Sequence, residues 1–248
     1  MKTPAALPSQ NVISCNACSL KHLCLPDGLS PKELEELESS IDKTIKIKKK
    51  QPIYKTNDTC NGIYAIKSGA AKTSIINSDG QEQILEFHLP GDVLGFDAFA
   101  TNSHSCDVIA LEDTLVCRIP INIFDDLCEK LSGFRKVMHQ QIGKEIAHSQ
   151  KLLLSLGQLA TEERLASYLI QLANHYQSRG FSKNEFILPM SRQDLSNYLG
   201  MAVETLSRIL ARLTKKGLIK IEQRQVIISD FGALETLAHA ATKTNSVT

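Results

Sequence analysis

Ser191-Arg-Gln-Asp-Leu-Ser-Asn-Tyr-Leu-Gly-Met-Ala-Val-Glu-Thr-Leu-Ser-Arg208 is the stretch whose reading decides the fold of the C-terminal part. Serine followed three residues later by an acid starts a helix, because hydroxyl and carboxylate satisfy N–H groups that the first turn leaves open. Leu195 and Leu199 give this helix an apolar side, and Gly200 stops it. After a Gly200-Met-Ala202 turn, Val203, Leu206, Leu210 and Leu213 recur at helical spacing. Glu204, Ser207, Arg208, Ala211, Arg212 and Lys215 take the opposite face, and Gly217 ends the second helix. Two short helices about a three-residue turn form a helix-turn-helix, whose second helix enters the major groove of DNA by its N-terminal residues. Glu204, Ser207 and Arg208 stand there, with Arg212 one turn further along. Their chemistry suits base edges: Arg donates twice to guanine, Glu accepts from the cytosine amine, and Ser contacts either kind of base. A solvated helical hairpin shows the same two-faced pattern, so spacing alone leaves both readings open.

The surrounding charge favours the polyanion reading. Residues 191–230 hold seven basic side chains (Arg192, Arg208, Arg212, Lys215, Lys216, Lys220, Arg224) against four acidic ones (Asp194, Glu204, Glu222, Asp230). Leu218 to Glu222 and Gln225 to Ser229 read as a two-stranded wing, with Arg224 near its tip placed to meet phosphate. The chain as a whole is nearly neutral, with 28 Lys+Arg against 27 Asp+Glu, so any nucleic-acid face is local. A length of 248 residues favours two domains over one. Met1 to Gln10 lacks the apolar core of a secretion signal, and no run approaches the roughly 18 apolar residues of a membrane span. These features lead us to expect a soluble cytoplasmic protein without a membrane partner.

Upstream the apolar period changes. Between Leu131 and Leu156, Met138, Ile142, Ile146, Leu153 and Leu156 recur at threes and fours once Ser149 is admitted, which predicts a long helix. Its stripe suits either packing on its own β-domain or a two-chain coiled coil. A further helix is expected from Thr161 towards Gly180. Before the long helix, Ile45 to Lys48, Ile63 to Ile66, Ala71 to Ile76, Ile84 to His88, Val108 to Leu111 and Leu115 to Ile119 are short apolar or alternating runs. Turns rich in Gly, Pro and Asp separate them, as in a sandwich, jelly roll or barrel. The expected class is thus α+β, in five parts. They are a cysteine-rich segment 1–29, a β jelly roll 30–130, a long helix 131–157, a winged helix-turn-helix 158–240 and a frayed tail 241–248.

Three of seven cysteines, Cys15, Cys18 and Cys24, fall within ten residues too few and too polar to build a core. Thiolates so spaced suit zinc or an iron–sulfur cluster, either of which needs a fourth ligand. Spacing does not choose among Cys60, Cys106, Cys117 and Cys128, since burial is the commoner fate of a lone cysteine. A thiol oxidoreductase built on Cys15-Asn-Ala-Cys18 would need a βαβ setting, which is absent.

Taken together, these residues resemble the FNR-type oxygen regulators of the cyclic-AMP receptor protein superfamily. The likeness runs through Cys-x2-Cys-x5-Cys-Leu-Pro, Phe87-His-Leu-Pro-Gly-Asp92, Leu115-Val-Cys-Arg-Ile-Pro120, Thr161-Glu-Glu-Arg-Leu165 and Asn197 to Arg208. It implies a jelly roll like the cyclic-nucleotide-binding domains, followed by a dimerisation helix. It also implies one four-iron, four-sulfur cluster per subunit on Cys15, Cys18, Cys24 and Cys117, in place of zinc, with Cys60, Cys106 and Cys128 outside it. In such proteins oxygen destroys the cluster and weakens a homodimer whose seam would here include Met138, Ile142, Ile146, Ser149 and Leu153. Ser149 departs from relatives that carry an acid there, which would loosen the dependence of dimerisation on the cluster. The reading helix resembles the pattern Glu-x-x-Ser-Arg, which implies double-stranded DNA with TTGAT-like inverted repeats. Arg208 is then assigned to the guanine, Glu204 to its paired cytosine and Ser207 to the outer thymine side. The turn at Gly80 and Gln81 is similar to a surface that touches RNA polymerase, although Gln81 replaces an acid. No cyclic nucleotide is expected, because Leu94-Gly-Phe-Asp97 and Ser103-His-Ser-Cys-Asp107 lack the Glu and Arg that such a ligand needs. Structural zinc on the same fold is the alternative.

Overall fold

The computed structural model describes Cys15 and residues 18–25, 29–40 and 44–238. The chain before Cys15 and the tail 241–248 lie outside the described residues. The elements, in chain order, are α1 (Lys21–Cys24), α2 (Pro31–Ser40), β1 (Ile45–Ile47), β2 (Pro52–Tyr54), β3 (Gly62–Ser68), β4 (Ala71–Ile76), β5 (Glu82–His88), β6 (Val93–Leu94), β7 (Asp107–Ala110) and β8 (Thr114–Pro120). After these come α3 (Ile121–Lys130), α4 (Ser132–Gln158), α5 (Thr161–Ser178), β9 (Glu185–Ile187), α6 (Arg192–Tyr198), α7 (Val203–Lys215), β10 (Ile219–Glu222), β11 (Gln225–Ile228) and α8 (Phe231–Ala238).

Two antiparallel four-stranded sheets, β1-β8-β3-β6 and β2-β7-β4-β5, form the N-terminal sandwich. Alternation positions their inner face: Tyr54, Tyr64, Ile66, Ala71, Val108 and Val116 are buried together. A capping box starts α2, with Ser30 N–H donating to Glu33 and Glu33 N–H to the Ser30 hydroxyl. Leu34 and Leu37 then turn inward, against Phe124 and Leu127 of α3 and Phe134 and Val137 of α4. Six elements escaped the sequence reading, α1, β9 and α8 among them, and three show why. β2 opens on a proline and contains a register shift, β6 is two residues long, and α3 runs into the start of α4 with only Leu131 between them.

The helix-turn-helix has the expected anatomy. Ser191 and Asp194 close the capping box of α6, and Gly200 takes φ of +60° in the turn. A Cβ on Gly200 would stand 3.1 Å from Leu156 and 3.2 Å from Arg164, so this turn is crowded as well as left-handed. Leu206, Ile209, Leu210 and Leu213 bury one face of α7, each contributing roughly 1.5–3 kcal/mol. The wing is β10 and β11, extended by β9 into a three-stranded sheet. The parts expected on either side of residue 158 pack against each other. Ala70, Ile84, Phe87 and Leu89 of the sandwich lie in the same apolar cluster as Leu169, Tyr198 and Leu206. Across this junction Asn197 accepts from Ile84 N–H at 2.7 Å and donates to Glu82 O at 2.7 Å, while Lys72 pairs with Asp194 at 2.8 Å.

Candidate functional site

Two groups of side chains carry chemistry. At the first, Cys15 and α1 pack against the sandwich and α4, so that sequence-distant cysteines become neighbours. Burial, then Glu38, Cys117 and Cys18 push the Cys15 thiol up to about 12. The Cys24 thiol also rises to about 12, from burial first and then from Cys15, Cys18 and Cys117. Each of the four expected ligands is thus within electrostatic reach of the others. Burial raises Cys117 too, which lies on β8 opposite Ala65 of β3. Cys60, Cys106 and Cys128 answer to other neighbours. Asp97 acts on the first two, and Asp125 and Arg135 on Cys128.

All seven cysteines are free thiols. Cys15, Cys24 and Cys117 sit in an apolar nest with Leu25, Leu34, Leu37, Phe124 and Phe134, against which Cys128 also packs, and half-buried Cys18 lies within reach of their charge. Among the described residues, no three His, Cys, Asp or Glu side chains are arranged to hold a metal ion. The four sulfurs are therefore neighbours and not a closed coordination shell. Their chemistry nonetheless fits a metal group. Soft thiol donors favour iron–sulfur or zinc, and a cation would offset the cost of ionising buried thiols, including the field of Glu38 on Cys15.

Sequence reasoning missed what holds this segment. Gln141 of α4 donates to the carbonyls of Leu23 and Cys24 at 2.8 and 3.1 Å. Leu23 also rests on Gly91, whose φ is +95° and whose added Cβ would lie 2.6 Å from the Leu23 Cβ. Arg179, at the end of α5, pairs with Asp92 at 2.6 Å and donates to Pro90 O. His22 of α1 lies 3.0 Å from Ser178 O. The Pro90-Gly-Asp92 turn signal was visible; its partners were not.

At the second group, Glu204 and Arg208 are exposed on the first turns of α7, and Ser207 is partly so. Arg208 makes only long bonds, at 3.4 Å, to Glu204 O and Thr205. Two of the expected cations have partners within the chain. Arg212 is not free on the reading face, because Glu162 of α5 pairs with it at 3.1 Å and with Lys216 at 2.9 Å. Arg224 does not reach out from the wing to phosphate. Its guanidinium folds back onto the carbonyls of Leu188 and Pro189, which follow β9.

On α4, Ile146 and Leu153 are 54% and 70% exposed, Ser149 is exposed and Ile142 is half-buried. Met138 is corrected out of this stripe, because the same helix turn packs it with Phe134 in the protomer's own core, where it is 3% exposed. Gly80, with φ of +77°, and Gln81 form the exposed turn between β4 and β5, organised by Asn77, whose side chain accepts from Gln81 N–H. Inside the sandwich, Asp97 accepts from Ser105 N–H and the Cys106 thiol and faces His104 at 3.1 Å, while Tyr54 stacks on His104.

Comparison with known proteins places this architecture. Residues 44–131 match the cyclic nucleotide-binding domain and residues 163–237 the Crp-like helix-turn-helix domain. The anaerobic regulatory protein of Pasteurella multocida (strain Pm70) is 42% identical over 233 residues, covering 94% of this chain and 85% of that protein. The chain belongs to the FNR-type regulators of the cyclic-AMP receptor protein superfamily. The fumarate and nitrate reduction regulatory protein of Salmonella typhi is 40% identical, over 91% of this chain and 90% of its own length. Among solved structures, FixK2 from Bradyrhizobium japonicum superposes with a TM-score of 0.72 at 28% identity, covering 79% of this chain and 96% of that one. This FNR-type chain is accordingly a DNA-binding transcription regulator and not an enzyme. Among its described residues no helix is long and apolar enough to cross a membrane.

Proposed function

We propose that this protein is a cytoplasmic regulator of anaerobic metabolism, with Cys15, Cys18, Cys24 and Cys117 holding one four-iron, four-sulfur cluster per subunit. The observation that carries this reading is the convergence of those four thiols from two ends of the sensor region, all within electrostatic reach and three of them, Cys15, Cys24 and Cys117, in one apolar nest. When bound, such a cluster supplies an oxygen-labile tie between the N-terminal segment and β8. The chain's own residues do the rest. Gln141 and Gly91 seat α1 against the long helix and the sandwich. Ile142, Ile146, Ser149 and Leu153 of two copies meet across a dimer axis, since exposed apolar residues at this spacing need a partner. Each subunit then presents Arg208 to a guanine, Glu204 to the paired cytosine and Ser207 to the adjoining thymine of a TTGAT-like half-site. Arg212 joins them by exchanging Glu162 for a phosphate. The turn at Gly80 and Gln81 is offered to RNA polymerase. A cyclic nucleotide has no role in this reading, because Leu94-Gly-Phe-Asp97 and Ser103-His-Ser-Cys-Asp107 lack the Glu and Arg such a ligand needs, and Asp97 is engaged by Ser105 and Cys106.

The test is the visible spectrum of protein purified without oxygen, followed by air. A brown protein with about four irons and four sulfides per chain is expected, losing colour and DNA affinity together in air. A colourless protein containing zinc overturns the proposal. Cys117→Ala is expected to abolish the cluster while Cys106→Ala retains it. Equal cluster content in both overturns the ligand assignment.

A further inference from the structure

A single helical turn cannot satisfy its own carbonyls, because the last four C=O groups of a helix have no partner within it. In α1 the Lys21 carbonyl is taken up by Leu25 N–H. The carbonyls of Leu23 and Cys24 are met by one side chain 117 and more residues away: Gln141 donates to Leu23 O at 2.8 Å and to Cys24 O at 3.1 Å. A glutamine amide nitrogen carries two N–H groups, one for each acceptor. Gln141 lies on α4 immediately before Ile142, and it is half-buried. Leu23 is fixed from the opposite side by Gly91, against which it packs so closely that no Cβ fits. The turn that bears Cys24 is thus held between sandwich and long helix, and its polar tie to the helix is this amide.

We propose that Gln141 is the positioning residue through which the state of the cysteine segment reaches the long helix. It caps the Cys24 turn only while that turn brings the Cys24 thiol beside Cys15, Cys18 and Cys117. If the segment departs, both acceptors leave and a half-buried amide loses its bonds, which penalises the local packing of α4 next to the exposed stripe. The helix around Ile142 therefore has two arrangements, and the cysteine segment selects between them. This inference rests on the cluster reading above, and adds to it the residue that transmits.

Full-length Gln141→Leu, Gln141→Glu and Gln141→Lys, prepared without oxygen, test it. Leucine removes the donors, glutamate points a carboxylate at two carbonyls, and lysine restores a donor of similar reach. Iron and sulfide per chain are measured, with the dimer dissociation constant by sedimentation before and after cluster removal. We expect parental iron content in all three. In the Leu and Glu variants the difference in dimer affinity between the two states shrinks about tenfold, while the Lys variant stays close to the parent. Failure of the Leu and Glu variants to assemble a cluster that the Lys variant does assemble also supports the assignment. A parental affinity difference in the Leu and Glu variants overturns it, as does equal loss in all three, since that pattern belongs to shape and not to donation. Parent protein without iron overturns the cluster reading and this proposal together, so the two failures are distinguishable.

Discussion

Arg208 and Gly91 show how differently single residues can be read. The role of Arg208 follows from its place on the first turns of a helix after a capped turn, and its loose bonds to Glu204 O and Thr205 leave it available. Arg208→Ala is expected to reduce discrimination at the guanine by about 1–3 kcal/mol, measured by binding to intact and guanine-substituted half-sites. An unchanged ranking of the two would remove Arg208 from base reading. Gly91 reads in sequence as one member of a Pro-Gly-Asp turn. Its second duty, giving room to Leu23, depends on a contact across 68 positions that no local pattern records. Gly91→Ala combines a left-handed backbone with a clash against the Leu23 Cβ, and is expected to cost about 2 kcal/mol or more. Urea unfolding of parent and variant measures this, and a loss below about 0.5 kcal/mol would mean the turn relaxes freely. Arg212 and Arg224 were legible as cations but not as partners, because Glu162 and the carbonyls of Leu188 and Pro189 reach them only through the tertiary fold.

Elements were legible where their periodicity was long. The helix α4 carries a long run of repeated apolar positions, and α6 and α7 add a capping box at Ser191 and the terminating glycines Gly200 and Gly217, so several signals agree there. β6 offers two residues and β2 three, too few for any period to declare itself. Periodicity also says which residues share a face but not what covers it. Along α4 the inward residues are Phe134, Val137 and Met138, and the helix then lifts its stripe into the open at Ile146 and Leu153. Leu153, 70% exposed, has nothing of its own protomer to protect it. Leu153→Glu is therefore expected to leave the protomer folded and to weaken the cluster-loaded dimer by at least about tenfold, read by sedimentation. A dimer of parental strength would place the seam elsewhere.

At the scale of the molecule, the junction between sandwich and helix-turn-helix is polar at its rim and titratable within. His88 is buried at the end of β5 and meets Thr73 at 2.6 Å. Burial, then the fields of His148 and His175, bring it down from 6.5 to about 4 against the pull of Asp92. A depressed histidine leaves the unfolded chain binding more protons between those two values, so its contribution to stability falls as pH drops from 6.5 towards 4. Glu145, raised by burial to about 7, works in the opposite sense over part of that range. The difference between variants isolates the histidine. His88→Gln is expected to be less stable than the parent at pH 7 and to regain on the order of 3 kcal/mol relative to it by pH 4. Parallel stability curves from chemical denaturation across that range would show that His88 titrates normally. None of this was visible beforehand, because the partners of His88 come from β4, α4, α5 and the turn at Asp92.

The apolar cluster that joins Ile84, Phe87 and Leu89 to Tyr198 and Leu206 has a practical corollary for anyone who would transplant the reading head. Cutting the chain at the end of α4 does not release a finished module; it strips one wall from a shared interior. Grafted onto a foreign dimeriser, the piece would arrive with bare aromatic and leucine surface and with Asn197 and Asp194 deprived of the strand and lysine that now meet them. Such a chimera calls for polar replacements along that wall, or for the β4–β5 hairpin to travel with it.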